Sequence, residues 1–305
     1  VAFNSRPLAA GIALAVAGSV LFSAKAIVVK LAYRHGVDAT TLIALRMLLA
    51  LPVFLVTLVF STRGAPPLAR ADHARLVVLG LLGYYVASML DFLGLQYISA
   101  ALERLVLYLN PTLVLLISAL VLGKRIARAE WWALGLAYGG IVLVFAHDVR
   151  LEGGQVWLGT ALVFGAALSY AAYLVLSGEL VRRVGTVRLV SYAMCVASAA
   201  VLAQWALLMP WSSIAQPAPV WWLSLINAVA CTVLPVFATM AAVARIGAGR
   251  TALAAMVGPV ATIGLAAIFL DEPVTAWQLA GTALVLAGVA VLTRSAPRPP
   301  QETEA

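Results

Sequence analysis

Apolar residues run along this chain in stretches of membrane-spanning length, and short polar or charged clusters divide one stretch from the next. A helix rises about 1.5 Å per residue, so roughly 20 apolar residues cross about 30 Å of hydrocarbon. The pattern predicts ten spans, at 8–32, 39–60, 76–95, 100–121, 130–146, 156–177, 187–209, 219–244, 251–270 and 275–293. The expected fold class is an all-α membrane protein with ten transmembrane helices. The fifth span is short and the first and eighth are long, a difference that tilt absorbs. Arg6, the apolar run after it and "FSAKA" loosely imitate a signal peptide. Many further spans follow, so residues 8–32 are read as a retained helix.

The polar–apolar pattern repeats when the chain is shifted by 148 residues, the separation of Pro111 from Pro259 and of Gly140 from Gly288. The segments 107–126 and 254–274 then align without a gap, but the loop after the first carries Lys124, Arg125 and Arg128, and the loop after the second carries Asp271 and Glu272. A duplicated unit whose equivalent loops lie on opposite sides of a membrane has this character. It predicts two inverted five-helix repeats, 8–146 and 147–293, between an N-terminal segment 1–7 and a polar, Pro-rich, disordered tail 294–305.

The cations test this layout. One set of alternate ends holds Arg6, Arg63, Arg70, Arg75, Lys124, Arg125, Arg128, Arg182, Arg183, Arg188, Arg245, Arg250, Arg294 and Arg298; the other holds Arg34 and Arg150. Such a bias places the cation-rich end, and with it both termini, in the cytoplasm. An odd number of spans per repeat then requires the second half to enter inverted. The composition, 64% hydrophobic and 10% charged, leaves little room for a soluble domain. The net charge of +8 sits in interspan loops and is read as topology rather than as a nucleic-acid surface. The expected partners are a small solute and the lipid bilayer, with no nucleic acid, and the expected state is a monomer. Cys195 and Cys231 fall in apolar runs and read as small buried hydrophobes. No metal-ligand spacing and no Walker-type phosphate loop is present, so no cofactor and no intrinsic ATP hydrolysis are expected.

Ionisable groups inside a span are costly and mark function or pairing. Lys25, Lys30, Arg46, Asp91, Glu103 and Arg104 all lie in the first half of the chain and towards the cation-poor end. They form either a structural salt-bridge network, with Lys30 snorkelling outward, or the polar collar of a central cavity. Lys25 and Glu103 are assigned to solute contact, and Lys30, Arg46, Asp91 and Arg104 to the charge network. Polar and aromatic residues form helical stripes. Tyr84, Ser88 and Asp91 share one face, and Tyr108 lies near Asn110. Ser169, Tyr170 and Tyr173 cluster on the sixth span, and Asn227 leads a stripe on the eighth. Hydroxyls and amides in hydrocarbon seek partners. The stripes are therefore helix–helix hydrogen bonds or cavity walls, and their recurrence on four spans favours a lined cavity. Phe22 on the first span is placed with them. Pro111 and Pro259, at equivalent positions, are candidate hinges. Trp131, Trp132, Trp211, Trp221, Trp222 and Trp277 sit at span ends as interfacial anchors.

The run 94–126, the closing run "LDEPVTAWQLAGTALVLAGVAVL" (270–292) with Glu272, Gly281 and Gly288, and the looser Ala133 and Gly140 of the first copy resemble the EamA-type branch of the drug/metabolite transporter superfamily. Lys124 stands where that family usually has Glu. The resemblance implies a bacterial inner-membrane transporter that is not an enzyme. Within the branch, the chain is most similar to YddG-type exporters of aromatic and other neutral amino acids, which work by alternating access around a largely apolar cavity. Two other functions compete: a lipid head-group flippase or intramembrane lipid-processing enzyme, and an importer of a sugar or other metabolite. A lipid-handling protein needs a cavity open sideways to the bilayer; an exporter needs one open to a single aqueous face.

Overall fold

A computed structural model describes residues 5–123, 126–152 and 155–295. Lys124, Arg125, the first four residues and the tail beyond Ser295 lie outside the described residues. The described chain is helical throughout, without strands. The helices are labelled α1 (Ser5–Tyr33), α2 (Ala39–Thr62), α3 (Arg70–Gly94), α4 (Ala100–Val121), α5 (Arg128–Glu152), α6 (Gln155–Val184), α7 (Thr186–Leu208), α8 (Ala218–Gly247), α9 (Arg250–Phe269) and α10 (Ala276–Ser295). Among the described residues the first nine contain stretches long and apolar enough to span a bilayer, and α10 contains the shorter apolar stretch Ala276–Val291.

Three helices are longer than their hydropathy suggests, among them α6, which runs on to Val184. α3 begins at Arg70 rather than 76, because its first turns carry Arg70, Asp72, His73 and Arg75. Those turns are tied down at the cation-rich end, where Arg183 donates to Asp72 at 2.9 Å and Arg188 to the Pro66 carbonyl at 3.0 Å. α5 runs on to Glu152, which brings His147 and Asp148 inside the helix.

Large apolar side chains cover the outside of the bundle. Leu120, Leu207 and Ile268 are 85%, 83% and 72% exposed, as lipid-facing residues must be. Trp131, Trp132, Trp211, Trp222 and Trp277 are exposed near helix ends, and Trp221 is half-buried. The interior is mixed: Lys25, Arg46, Asp91, Glu103, Arg104, Ser198 and Asn227 are buried beside Phe54, Phe92 and Leu102.

The helices pair α1 with α8, α3 with α6, α2 with α7 and α5 with α10, while α4 packs chiefly against α6 and α9 against α1. Each pair crosses the midpoint of the chain. At the α5–α10 contact the backbones nearly touch. A Cβ on Gly140 would lie 2.5 Å from the Gly281 carbonyl oxygen, and one on Gly288 would lie 2.6 Å from that of Ala133. Only glycine fits at either approach.

Two departures from regular helix recur at the same register. π-helical turns occupy Leu81–Val86 of α3 and Val229–Val233 of α8. α4 is interrupted at Tyr108 and Leu109, and α9 at Met256. Both interruptions lie just ahead of a proline. Proline lacks the N–H that would bond the carbonyl four residues earlier, so Pro111 frees the carbonyl of Leu107 and Pro259 that of Ala255. Each finds a side-chain donor. Asn110 Nδ2 donates to Leu107 at 2.8 Å; Ser19 Oγ donates to Ala255 at 2.7 Å, and Tyr108 donates to it as well. Pro111 itself is exposed and Pro259 is buried.

Candidate functional site

Lys25 sits about two turns before the C-terminal end of α1, Asp91 one turn before the end of α3, and Glu103 in the first turn of α4. α1 and α3 run parallel and α4 runs antiparallel to both, so the ends of α1 and α3 and the start of α4 bring the three to one level. Lys25 Nζ forms an ion pair with Asp91 Oδ2 and another, at 3.0 Å, with Glu103 Oε1. All three are buried, Glu103 completely. Taking such groups out of water costs several kcal/mol per ion, so each needs a partner in place. The pairing is incomplete: Asp91 Oδ1 and Glu103 Oε2 have no hydrogen-bond partner.

Two guanidinium groups flank this centre and pair with neither carboxyl. Arg46 donates to Ser88 Oγ at 2.8 Å and lies 4.8 Å from the Phe92 ring centre. Arg104 lies 4.9 Å from the ring centre of Phe22 and 5.3 Å from that of Tyr108. It makes no hydrogen bond or ion pair among the described residues, and its Nε is buried without a partner. Phe22 also stands 5.4 Å from Lys25 Nζ and is 40% exposed. Phe22 and Tyr108 therefore form an aromatic wall beside buried charge of both signs.

Lys30 leaves this group. It reaches across to the other half of the chain, donating to Glu272 at 2.8 Å and to the Ile98 carbonyl at 3.0 Å. Glu272 in turn accepts from the backbone N–H of Ala100, 3.2 Å from each carboxylate oxygen, at the N-terminus of α4. Arg34 donates to the Leu270 carbonyl at 2.8 Å, Tyr33 to that of Phe92 at 2.7 Å, and Ser99 to Asp148 at 3.3 Å. These contacts stitch the cation-poor end together over the charged centre.

The tyrosines form a separate group. Tyr84, Tyr170 and Tyr173 have ring centres 5.3, 5.5 and 6.2 Å apart, and the Tyr84 and Tyr173 hydroxyls are 3.4 Å apart. Tyr173 lies against the π-helical turn of α3, where a Cβ on Gly83 would come 2.5 Å from its ring; Ser169 Oγ donates to the Leu82 carbonyl of that turn at 2.7 Å. Among the described residues no hydrogen bond, ion pair or ring contact joins the tyrosines to the charged centre. Asn227 on α8 is completely buried with both side-chain amide atoms unpartnered, as is the hydroxyl of Ser224 one turn before it.

Apart from Asn227, the residues singled out from the sequence thus fall into four places. Phe22, Lys25, Asp91, Glu103, Arg104 and Tyr108 surround the charged centre, and Arg46 and Ser88 form a bonded pair beside it. Tyr84, Ser169, Tyr170 and Tyr173 line the α3–α6 contact. Asn110, Pro111 and Pro259 belong to the helix interruptions, and Lys30 to the closure at the cation-poor end. Ser19 and Ser23, one turn apart on α1, escaped sequence reasoning. Ser23 donates to the carbonyls of Ser19 at 2.7 Å and Gly258 at 3.0 Å, so both serines serve the broken stretch of α9. The charged side chains of the centre are buried, and Phe22 beside them is partly exposed. The concave regions described elsewhere are an apolar cavity of about 310 Å³ lined by Thr41, Leu45, Leu48, Trp205 and Trp211, and one of about 400 Å³ lined by Lys30, Tyr33, Asp38 and Gln96.

The model of the EamA-like transporter family matches twice, over residues 9–146 and 157–294. The uncharacterized transporter YcbK of Bacillus subtilis (strain 168) is 30% identical over 283 residues, covering 90% of this chain and 90% of the relative. The uncharacterized transporter YyaM of the same organism is 26% identical over 127 residues, covering 39% of this chain and 42% of the relative. A solved crystal structure 19% identical in sequence superposes with a TM-score of 0.63 over 93% of this chain and 96% of that one, so the fold is shared.

Proposed function

We propose, starting from a chain that belongs to the EamA-like transporter family, that it exports small metabolites, above all aromatic and other neutral amino acids, across the cytoplasmic (inner) membrane of a bacterium. The chain is a multi-pass membrane transporter; solute, direction and mechanism are the proposal. One observation carries it. Buried, unpartnered groups of opposite sign, Asp91 Oδ1 and Glu103 Oε2 against Arg104 Nε, meet beside the rings of Phe22 and Tyr108. A zwitterion with an aromatic or apolar side chain complements all three features. Its ammonium meets the acceptors, its carboxylate the guanidinium and its side chain the rings.

The same reading takes all ten helices as spans, with two inverted five-helix halves and both termini cytoplasmic. The cation bias, the twofold family match, the cross-midpoint helix pairing and the matched π-turns support it. On this reading the cation-poor end, closed by Glu272 and Lys30, faces outward. Alternating access bends α4 and α9 at their interruptions, and the transporting unit is a monomer. Counterflow in proteoliposomes preloaded with unlabelled solute tests it. Labelled L-phenylalanine and L-leucine should accumulate, and a labelled hexose and a nucleoside should not. Accumulation of the hexose or nucleoside alone overturns the proposal.

A further inference from the structure

Arg104 is 4% exposed, yet it bonds to no acceptor among the described residues. Other charges within the spans are answered: Lys25 by two carboxyls and Arg46 by Ser88. Three buried cationic side chains thus face two buried carboxyls; each carboxyl meets Lys25 through one oxygen, and neither bonds Arg104. A guanidinium offers five N–H donors in a planar fork that matches a carboxylate edge to edge. Buried without an acceptor, such a group is expensive. Aromatic faces on two sides give attraction but no acceptor lone pair.

The surroundings restrict what reaches the fork. A Cβ on Gly258 would lie 2.8 Å from Arg104 Nη2, 2.6 Å from the Tyr108 hydroxyl and 2.8 Å from Ser19 Oγ. The missing side chain at Gly258, just past the interruption of α9, is what allows the guanidinium to lie there. Phe22 and Tyr108 are the partly exposed members of the group.

We infer that Arg104 is the seat of the transported solute's carboxylate, docked edge-on between Phe22 and Tyr108, and that Gly258 sets the space for it. This rests on the solute-transport reading above and deepens it, because it makes a carboxylate obligatory whatever the rest of the solute. Lysine at this position keeps the charge and loses the fork. The interruption of α9 at Met256 and the carbonyl bonded by Tyr108 lie beside the seat, so filling it acts on the helix break directly.

Binding to the purified full chain tests the inference, read as thermal stabilisation and as competition in counterflow. The probes are L-phenylalanine, 3-phenylpropionate, which lacks the ammonium, and phenethylamine, which lacks the carboxylate. The native chain should bind the first two and not the third. Arg104→Gln should weaken both by at least tenfold, and Arg104→Lys should fall between. Gly258→Ala, which leaves the charge untouched, should weaken both several-fold and serves if Arg104→Gln does not fold. Binding of 3-phenylpropionate without L-phenylalanine, still dependent on Arg104, supports the seat and overturns the amino-acid reading. Undiminished binding of L-phenylalanine by Arg104→Gln or Arg104→Lys together with Gly258→Ala overturns the seat and leaves that reading standing. Binding of phenethylamine alone, or of none of the three, overturns both.

Discussion

Tyr108 donates its hydroxyl hydrogen to the backbone carbonyl of Ala255, the group that Pro259 leaves without a helical partner. The donor stands in the interruption of α4 and the acceptor beside that of α9, so one side chain ties the two broken helices together. Ser19 donates to the same carbonyl at 2.7 Å. Tyr108→Phe should therefore cost about 1 kcal/mol, an ordinary hydrogen bond, because one donor remains. Combined with Ser19→Ala, it leaves a buried carbonyl orphaned, and the double variant should lose about 1 kcal/mol or more beyond the sum of the singles. Thermal unfolding of the four proteins in one detergent measures the coupling. Simple additivity would mean that the carbonyl finds another donor.

The Lys25 pairs carry a larger stake. Lys25→Met leaves Asp91 and Glu103 buried without their common cation, a change of the kind that costs about 3–5 kcal/mol. Asp91→Asn in that background removes one stranded charge and should recover part of the loss. Comparing folded yield and melting temperature of both variants checks this. An unchanged Lys25→Met protein would mean that the two carboxyls do not depend on the lysine.

Gly83→Ala puts a methyl group 2.5 Å from the Tyr173 ring. Overpacking of this sort costs about 1–3 kcal/mol. Tyr173→Ala alone should also destabilise, by opening a cavity, and the pair together should cost less than the sum of the two. A sum or more would show that the π-helical turn yields elsewhere.

The closure at the cation-poor end separates charge from hydrogen bonding. Glu272→Gln keeps an acceptor for the Ala100 N–H and loses only the ion pair with partly exposed Lys30, so it should cost about 1 kcal/mol or less. Glu272→Ala loses both contacts and should cost more. Melting temperatures again decide. Equal losses would assign the whole effect to the ion pair.

Much of this architecture was legible in the hydropathy pattern, and the reasons are physical. α2 was expected at 39–60 and is observed at Ala39–Thr62, because Asp38 caps its start, accepting from the Thr41 N–H at 2.8 Å. The early start of α3 was hidden because its first turns are charged and hold their place through Asp72 and Arg183. The prolines announced two helix breaks, but which side chains would serve the freed carbonyls depends on which helices abut. Asn110 acts within its own turn, whereas Ser19 and Tyr108 reach Ala255 from other helices. The burial of Lys25, Asp91 and Glu103 followed from their place in the spans. Their contact did not, and neither did the diversion of Lys30 to Glu272, which the sequence presented as a loop carboxylate. The π-turn at Val229–Val233 contains no helix breaker itself; the signal beside it is Pro235, which offers no N–H to the Cys231 carbonyl.

The orientation of the halves is open to a direct check. Single cysteines at Ala65, in the loop between α2 and α3, and at exposed Ser212, in the loop between α7 and α8, should label from opposite sides of the membrane. Ser212→Cys should react from outside and Ala65→Cys only after permeabilisation. Reaction of both from outside would contradict the inverted arrangement.

The central claim is that solute passes beside the charged centre of α1, α3 and α4, along the wall that Phe22 forms. Phe22 is partly exposed and touches both Lys25 and Arg104. The most direct measurement is the rate at which a thiol reagent modifies Phe22→Cys in proteoliposomes, with and without L-phenylalanine. The account predicts that modification is at least several-fold slower with L-phenylalanine present, and that modified protein no longer supports counterflow. Equal rates, with counterflow intact after complete modification, would contradict it.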